Sequence, residues 1–307
     1  MPGRRVAIVG TGWVGSSVAI STLHAGAADE LWLCDARAAI AEGEAMDLGH
    51  GASFYPRAAV RTCEPGEIRD ADVVVVAAGR NGTPGQSRLE LLRENARIVD
   101  GFGRLLAGSA AIVVMVTNPV DVLTLVMQRA SGLAPERVLG TGTMLDTARL
   151  RQAVGRELAI DPRSVHAQVL GEHGDSEVAV WSTAMAGGLH LRAWPGWRPG
   201  LEDALALEVR RAAYEIIARK GATNHAIGLV TATLLQSLLR DGRRVLTVSR
   251  VHDGVPGFEG VALSLPAVVG RDGAPRVLLP ELDEAERAAL ARSAAVLRDA
   301  AATLAAG

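Results

Sequence analysis

Along the first half of the chain, short runs of β-branched and aliphatic residues alternate with longer amphipathic stretches. Val6 to Val9, Leu31 to Cys34, Val73 to Ala77 and Ile112 to Val116 are short and almost uniformly apolar, the pattern of strands buried on both faces. Helix-like segments separate most of them, and this alternation predicts βαβ units: a doubly wound parallel sheet with helices on both sides. After about Gly142 the pattern changes. It predicts a helix beginning near Asp146, a strand around His166 to Leu170 and a long helix from about Leu201 to Ala218. Strands at Val245 to Val248 and Val261 to Leu265 follow, in a mixed or antiparallel sheet, and then an alanine-rich helix after Leu282. The expected organisation is two domains, 1–143 and 144–307, without a low-complexity linker or an internal repeat.

Composition narrows the class. At 307 residues, 49% hydrophobic and 21% charged, the chain has enough apolar material for a large core, which excludes disordered and fibrous architectures. Its 32 basic and 34 acidic side chains nearly cancel, so it lacks the basic footprint expected of a nucleic-acid or anionic-membrane partner. Cys34 and Cys63 can form neither a disulfide framework nor a zinc site with paired cysteine spacing, and no metal cluster is apparent. A reducing, cytoplasmic setting is therefore expected. No apolar run is long enough to cross a bilayer, and the first one, ended by glycine, reads as a strand rather than a signal-peptide core.

Candidate chemistry begins where the first strand ends. Gly10-Thr11-Gly12-Trp13-Val14-Gly15 follows that strand and opens a helix, so its glycines permit a tight turn and close backbone approach while the helix N-terminus faces a pyrophosphate. Asp35, twenty residues after Gly15 at the end of the second strand, can accept hydrogen bonds from an adenosine ribose. Its charge would repel a 2′-phosphate and favours NAD over NADP, a preference that Arg37 softens. Val76-Ala77-Ala78-Gly79 and Val116-Thr117-Asn118-Pro119 end later strands at the carboxyl edge of the sheet, where such folds bind ligands. Gly79 and Asn118 are therefore candidates for cofactor or substrate contact.

Two further motifs carry polar chemistry. Asp146 and Arg149 are three residues apart on one helical face, which taken alone is most often an intrahelical ion pair. Gly171-Glu172-His173-Gly174-Asp175 sets an imidazole at a backbone turn after a strand. Together with the glycine fingerprint and Asp35, these motifs resemble the L-lactate/malate dehydrogenase superfamily. The match extends through Pro84-Gly85-Gln86-Ser87-Arg88, Thr117-Asn118-Pro119-Val120-Asp121 and Lys220-Gly221-Ala222-Thr223, in order along nearly the whole chain.

The resemblance implies a Rossmann-type NAD-binding domain followed by an α+β substrate domain, and an NAD-dependent L-2-hydroxyacid dehydrogenase. It makes His173 the proton donor in ketone reduction and acceptor in alcohol oxidation, with Asp146 orienting it and stabilising its charged form. Arg149 would hold the substrate carboxylate through two parallel hydrogen bonds. Arg88, in a lid, would polarise the carbonyl, while Asn118 adds a hydrogen bond to the reacting oxygen or positions the ring. Thr223 would form the opposite pocket wall. Gly10, Gly12, Trp13, Val14, Gly15, Asp35 and Gly79 are expected at the cofactor.

One position departs from the family pattern. Six residues before the lid arginine, where lactate enzymes commonly carry glutamine and malate enzymes arginine, this chain has Gly82. Glycine offers no cation for a second carboxylate, and an unpaired buried charge costs about 3–5 kcal/mol, which disfavours malate. The expectation is a glycolytic L-lactate dehydrogenase activity on pyruvate, with branched-chain 2-hydroxyacid dehydrogenase and then malate dehydrogenase as alternatives; a catalytically silent NAD-binding paralogue is the alternative of another class. Arg151 and His166 match positions through which many bacterial relatives bind fructose 1,6-bisphosphate across a subunit interface, which implies an allosteric homotetramer. The remaining histidines and the Trp194-Pro195-Gly196-Trp197 loop are expected to serve packing or surface roles.

Overall fold

The computed structural model describes residues 3–82 and 87–305, with Arg88 and Ala305 described by their backbone alone. Six parallel strands, β1 (Arg5–Val9), β2 (Glu30–Cys34), β3 (Ala59–Thr62), β4 (Val73–Val76), β5 (Ile112–Met115) and β6 (Val138–Gly140), lie in the order β6-β5-β4-β1-β2-β3. β1 pairs with β2 on one side and β4 on the other, so the winding reverses at β1 and opens a crevice above the carboxyl ends of β1 and β4. The uniform apolarity of the central strands β4 and β5 has a direct cause, because each is buried along its whole length between helix layers, whereas the edge strand β3 carries Arg61 and Thr62 and is largely exposed. Val6 and Ile8 of β1 join Val73 and Val75 of β4 in one core, while Ala7, Val9, Val74 and Val76 join the other.

Helices α1 (Trp13–His24), α2 (Ala38–His50), α3 (Arg88–Leu106) and α4 (Val120–Ser131) connect the strands. α3 starts with a capping box in which Ser87 Oγ accepts from the Glu90 amide at 3.2 Å and the Glu90 carboxylate accepts from the Ser87 amide at 2.8 Å. The chain continues through α5 (Met144–Leu158), β7 (Val165–Leu170), β8 (Val178–Ala186), β9 (Leu189–His190), α6 (Leu201–Lys220) and α7 (His225–Leu239). It ends with β10 (Arg244–Val251), β11 (Ala262–Gly270), β12 (Gly273–Val277) and α8 (Glu284–Ala305). Strands β7, β8 and β9 form a small antiparallel sheet whose apolar face packs on α5 and α6 through Leu150, Val154, Val165, Trp181 and Leu205. The Trp194–Trp197 loop closes the same core, with Trp197 tilted against Trp181 at a ring separation of 5.8 Å.

The strands expected at Val245 to Val248 and Val261 to Leu265 are correct in type, but they do not build a sheet of the second half. β10 bridges to β6 at Ser249 and Gly140, and β11 and β12 follow it antiparallel, so the parallel sheet grows into a nine-stranded mixed one among the described residues. β11 is buried along almost all its length, and Val248, Ala267 and Val269 enter the same core as Val6 and Ile8. The addition covers what would otherwise be an open β6 edge.

Candidate functional site

The glycines of the first turn divide by physical reason. Gly10 has φ +89°, and a Cβ there would lie 2.6 Å from the Ala78 backbone; a Cβ on Gly15 would strike the Gly10 carbonyl oxygen at 1.8 Å. Those two are demanded by the fold itself. Gly12 is different, because a Cβ on it would meet nothing within 4 Å. It stands at the N-cap of α1 with no side chain capping the helix, so open space meets the first-turn amides, where a pyrophosphate would find donors for its charge.

Asp35 faces this turn from the end of β2. Its Oδ2 accepts from the Thr11 amide at 2.8 Å and from the Thr11 hydroxyl at 3.1 Å, and its Oδ1 accepts from the Arg37 amide at 3.0 Å. Burial acts to raise its pKa, but these donors hold the carboxyl below its ordinary value, so it is an anion beside the crevice. The open Gly12 face and the ionised Asp35 fit the two polar parts of an adenine dinucleotide. Trp13 is 65% exposed and Val14 half-buried on the same helix start.

At the next strand ends a residue without a role in the sequence reading takes the central place. Asn95, on α3 and 2% exposed, accepts from the Arg80 amide at 2.7 Å and donates to the Asn118 carbonyl oxygen at 3.2 Å, tying the chain after β4 to the chain after β5. Gly79 is glycine because a Cβ would sit 2.5 Å from Thr117 Cγ2. Asn118 Oδ1 accepts from the Val120 amide at 3.3 Å, which orients the side-chain amide at the carboxyl edge of the sheet.

His173, Asp146 and Arg149 meet at one point. Asp146 stands in the first turn of α5, where the helix dipole favours a carboxylate. Its Oδ2 pairs with His173 Nδ1 at 2.5 Å and its Oδ1 accepts from Arg149 Nη1 at 2.8 Å. Asp146 is 2% exposed on its side chain, Arg149 15% and His173 24%, so water is thin around the cluster while the imidazole keeps an open side. The ion pair suggested by the spacing of Asp146 and Arg149 therefore forms, and it forms inside the constellation rather than on a solvated face.

Backbone and hydroxyl contacts hold the two segments in register. Thr143 Oγ1 donates to the Val169 carbonyl oxygen, Thr147 Oγ1 accepts from the Val169 amide at 3.0 Å, and Gly171 exchanges two backbone hydrogen bonds with Ser264 of β11. Gly171 has φ +87°, and a Cβ there would press on Ser293 Oγ at 2.6 Å, which explains the glycine that begins the histidine turn. The turn is further held by Asp121, whose Oδ2 accepts from the His173 amide at 2.7 Å.

Burial lowers the imidazole's pKa, but the Asp146 carboxylate outweighs it by charge and hydrogen bond, so His173 titrates at about 9. Asp146 itself is held below its ordinary value: burial opposes ionisation, and His173 and Arg149 override it. Near neutral pH the pair is imidazolium and carboxylate. With Nδ1 engaged, Nε2 is the nitrogen from which a proton can leave. Glu177, buried nearby and unassigned in the sequence, is pushed up to about 8 by burial and by the Asp146 charge, and so is largely neutral where the pair is charged.

The other expected residues have these places. Thr223 is half-buried in the turn between α6 and α7, and Gly82 is exposed just after β4, with only Leu91 Cδ2, at 3.4 Å, near a built Cβ. Arg88 opens α3, but its side chain and the residues Pro84, Gly85 and Gln86 of the expected lid lie outside the described residues. Arg151 and His166 make none of the contacts that join His173, Asp146 and Arg149. Arg151 Nε donates to the Ala167 carbonyl oxygen at 3.0 Å, beside exposed His166 on β7, and burial together with the Arg244 charge lowers its pKa.

Comparison with known proteins places the chain in a family. Residues 4–140 match the lactate/malate dehydrogenase NAD binding domain and residues 143–306 the lactate/malate dehydrogenase alpha/beta C-terminal domain. The chain is 46% identical to an L-lactate dehydrogenase of Synechococcus sp. (strain JA-3-3Ab) over 95% of its own length and 96% of that protein's. It is 45% identical to an L-lactate dehydrogenase of Thermus aquaticus, over 98% of this chain and 99% of that one. A crystal structure of a minor L-lactate dehydrogenase from Enterococcus mundtii, in a ligands-bound form, superposes with a TM-score of 0.95 at 39% identity, covering 98% of each chain. Matches of both domain models in their proper order, together with relatives of this identity along nearly the full length, establish that the chain belongs to the lactate/malate dehydrogenase family.

Proposed function

We propose that this chain is an enzyme that reversibly reduces pyruvate to L-lactate with NADH. The observation that carries the reading is the joining of His173, Asp146 and Arg149 in one partly water-excluded cluster. A protein that only bound NAD would need no charged acid paired with a carboxylate-binding cation. The relatives named L-lactate dehydrogenase support the same reaction.

When bound, the nicotinamide supplies or accepts the hydride. His173 Nε2 donates the proton that turns the developing alkoxide into an alcohol, and in the reverse direction it accepts that proton. Asp146 fixes the ring through Nδ1 and stabilises its charge. Arg149 spends one nitrogen on Asp146, and its remaining donors hold the substrate carboxylate so that the keto carbon is presented in one orientation. Asn118 hydrogen-bonds the reacting oxygen or positions the ring, Arg88 polarises the carbonyl on lid closure, and Thr223 limits the pocket. Gly12 and Asp35 support the cofactor's pyrophosphate and ribose.

Gly82 sets the expected substrate range. It leaves room beside Leu91 and brings no cation, so pyruvate and bulkier 2-oxo acids are favoured over oxaloacetate. NADH oxidation with pyruvate, oxaloacetate and 2-oxoisocaproate at matched concentrations tests this, and pyruvate should lead. Gly82→Arg should raise the kcat/KM of oxaloacetate relative to pyruvate by about a hundredfold, since it supplies a partner for the second carboxylate. Oxaloacetate preference in the unaltered enzyme would refute the charge argument.

A cytoplasmic homotetramer is the assembly we favour. α1, α2, α6 and α7 expose Trp13, Ile20, Met46, Ile217 and Leu229 to solvent in the isolated chain, and such apolar side chains call for cover. Arg151, crowded by Arg244 and next to His166, supports a site for fructose 1,6-bisphosphate between subunits. Repeating the assay with that effector, and sedimentation with and without it, should show activation or tightened assembly; no response at any pH would count against the site.

A further inference from the structure

Asp121 occupies the first turn of α4 and is only 2% exposed. One carboxylate oxygen accepts from the His173 amide, and the other has only the Ser249 hydroxyl of β10 facing it, without the geometry of a formed hydrogen bond among the described residues. Leaving half of a buried carboxylate unpaired works against folding, and a neutral asparagine could accept the same amide hydrogen bond. The charge therefore needs a reason beyond that single contact.

The groups around it supply one. From the turn after β7 it meets His173 and Glu172, and Ser249 faces it from β10. Arg298 of α8 and Asp121 both line a cavity of about 10 Å³. Of these charges, His173 favours the ionised form of Asp121 and Glu172 opposes it, while Asp121 in turn favours the protonated form of His173. Burial pushes the Asp121 carboxyl up to about 6, so it is an anion where His173 would begin to lose its proton.

We propose that Asp121 is a positioning residue for proton transfer: it anchors the His173 turn through the main-chain amide and, as a second buried anion, strengthens the imidazole's hold on its proton. This rests on the acid/base role given to His173 above. The two can fail separately, because removing the imidazole tests the role and removing the Asp121 charge tests only the tuning.

The experiment is the pH profile of kcat/KM for pyruvate reduction in Asp121→Asn, which keeps shape and an amide acceptor but loses the charge. The limb on which activity falls with rising pH should move at least about half a pH unit lower, with NADH affinity unchanged within about twofold. A purely structural role would lower activity at every pH without moving the limb, and an unmoved limb overturns the proposal. Should the variant fail to bind NADH, the unaltered enzyme labelled with 13C at aspartate carboxyls serves instead. Its Asp121 signal should step at the pH where His173 titrates, and the absence of that step overturns the proposal equally.

Discussion

His173→Asn should reduce kcat for pyruvate reduction by about a hundredfold to ten-thousandfold, the range that a positioned general acid contributes, while leaving NADH binding intact. Asparagine can still donate to Asp146, so the Asp146 and Arg149 pair keeps its place and the substrate carboxylate its clamp. What disappears is the proton at the reacting oxygen and the positive charge that favours an alkoxide. Loss should appear in kcat far more than in KM, because the imidazolium acts on charge that develops only in the transition state. Stopped-flow NADH oxidation with a parallel fluorescence titration of NADH distinguishes this from misfolding. Turnover within tenfold of the unaltered enzyme would remove His173 from the mechanism.

Asp146→Asn is expected to act through the same proton from the other side. The imidazole now titrates at about 9, above its ordinary 6.5, because the Asp146 carboxylate overcomes burial. Without that charge the cause that outweighs burial is gone, and the imidazole's pKa falls. At pH 7.5 the reduction rate should then fall about a hundredfold to a thousandfold, part of it from scarce imidazolium and part from lost stabilisation of the charged ring. In the unaltered enzyme, pyruvate reduction should hold up to alkaline pH and fade through about 9, while lactate oxidation, which needs the neutral ring, should rise through the same range.

Stability follows the same sign. Since folding raises the imidazole's pKa, the ion pair stabilises the native state fully below about 6.5 and loses that contribution as pH climbs through about 9. The Asp146 side of the pair contributes above the ordinary carboxyl range and is lost as pH falls through its lowered folded value. Asp146→Asn should flatten the alkaline loss in thermal unfolding. An unshifted activity limb together with an unchanged alkaline unfolding profile would show that Asp146 does not govern the proton on His173.

Local pattern carried much of this protein. Val73 to Val76, uniformly apolar and only four residues long, could be little other than a doubly covered strand, and the glycine turn with Asp35 announced a dinucleotide crevice before any geometry was known. The cluster residues were also legible as candidates, though only through the ordered family resemblance, because the spacing of Asp146 and Arg149 by itself reads as an ion pair and His173 between glycines as an exposed turn. Residues whose part depends on a distant partner were silent. Asn95 lies in an ordinary helix, and its value is that it reaches Arg80 and Asn118; Glu177 looks like any polar residue after a turn until burial beside Asp146 pushes it toward neutrality. The destination of β10 and β11 was likewise hidden, since strand character is encoded in a few adjacent residues but sheet membership depends on which open edge the whole chain brings near.

Sequence alone therefore determined what is periodic or contiguous: strand and helix identity, the conformational need for Gly10, and the presence of a histidine, an aspartate and an arginine in motifs that resemble those of a dehydrogenase family. Tertiary structure decided which of those groups touch and how water is kept from them. It brought Asp146 to 2.5 Å from a histidine 27 residues away and left their side chains only 2% and 24% exposed. Proton affinity is a property of that shared environment, set by desolvation and the field of opposite charges, and neither exists until the chain has folded.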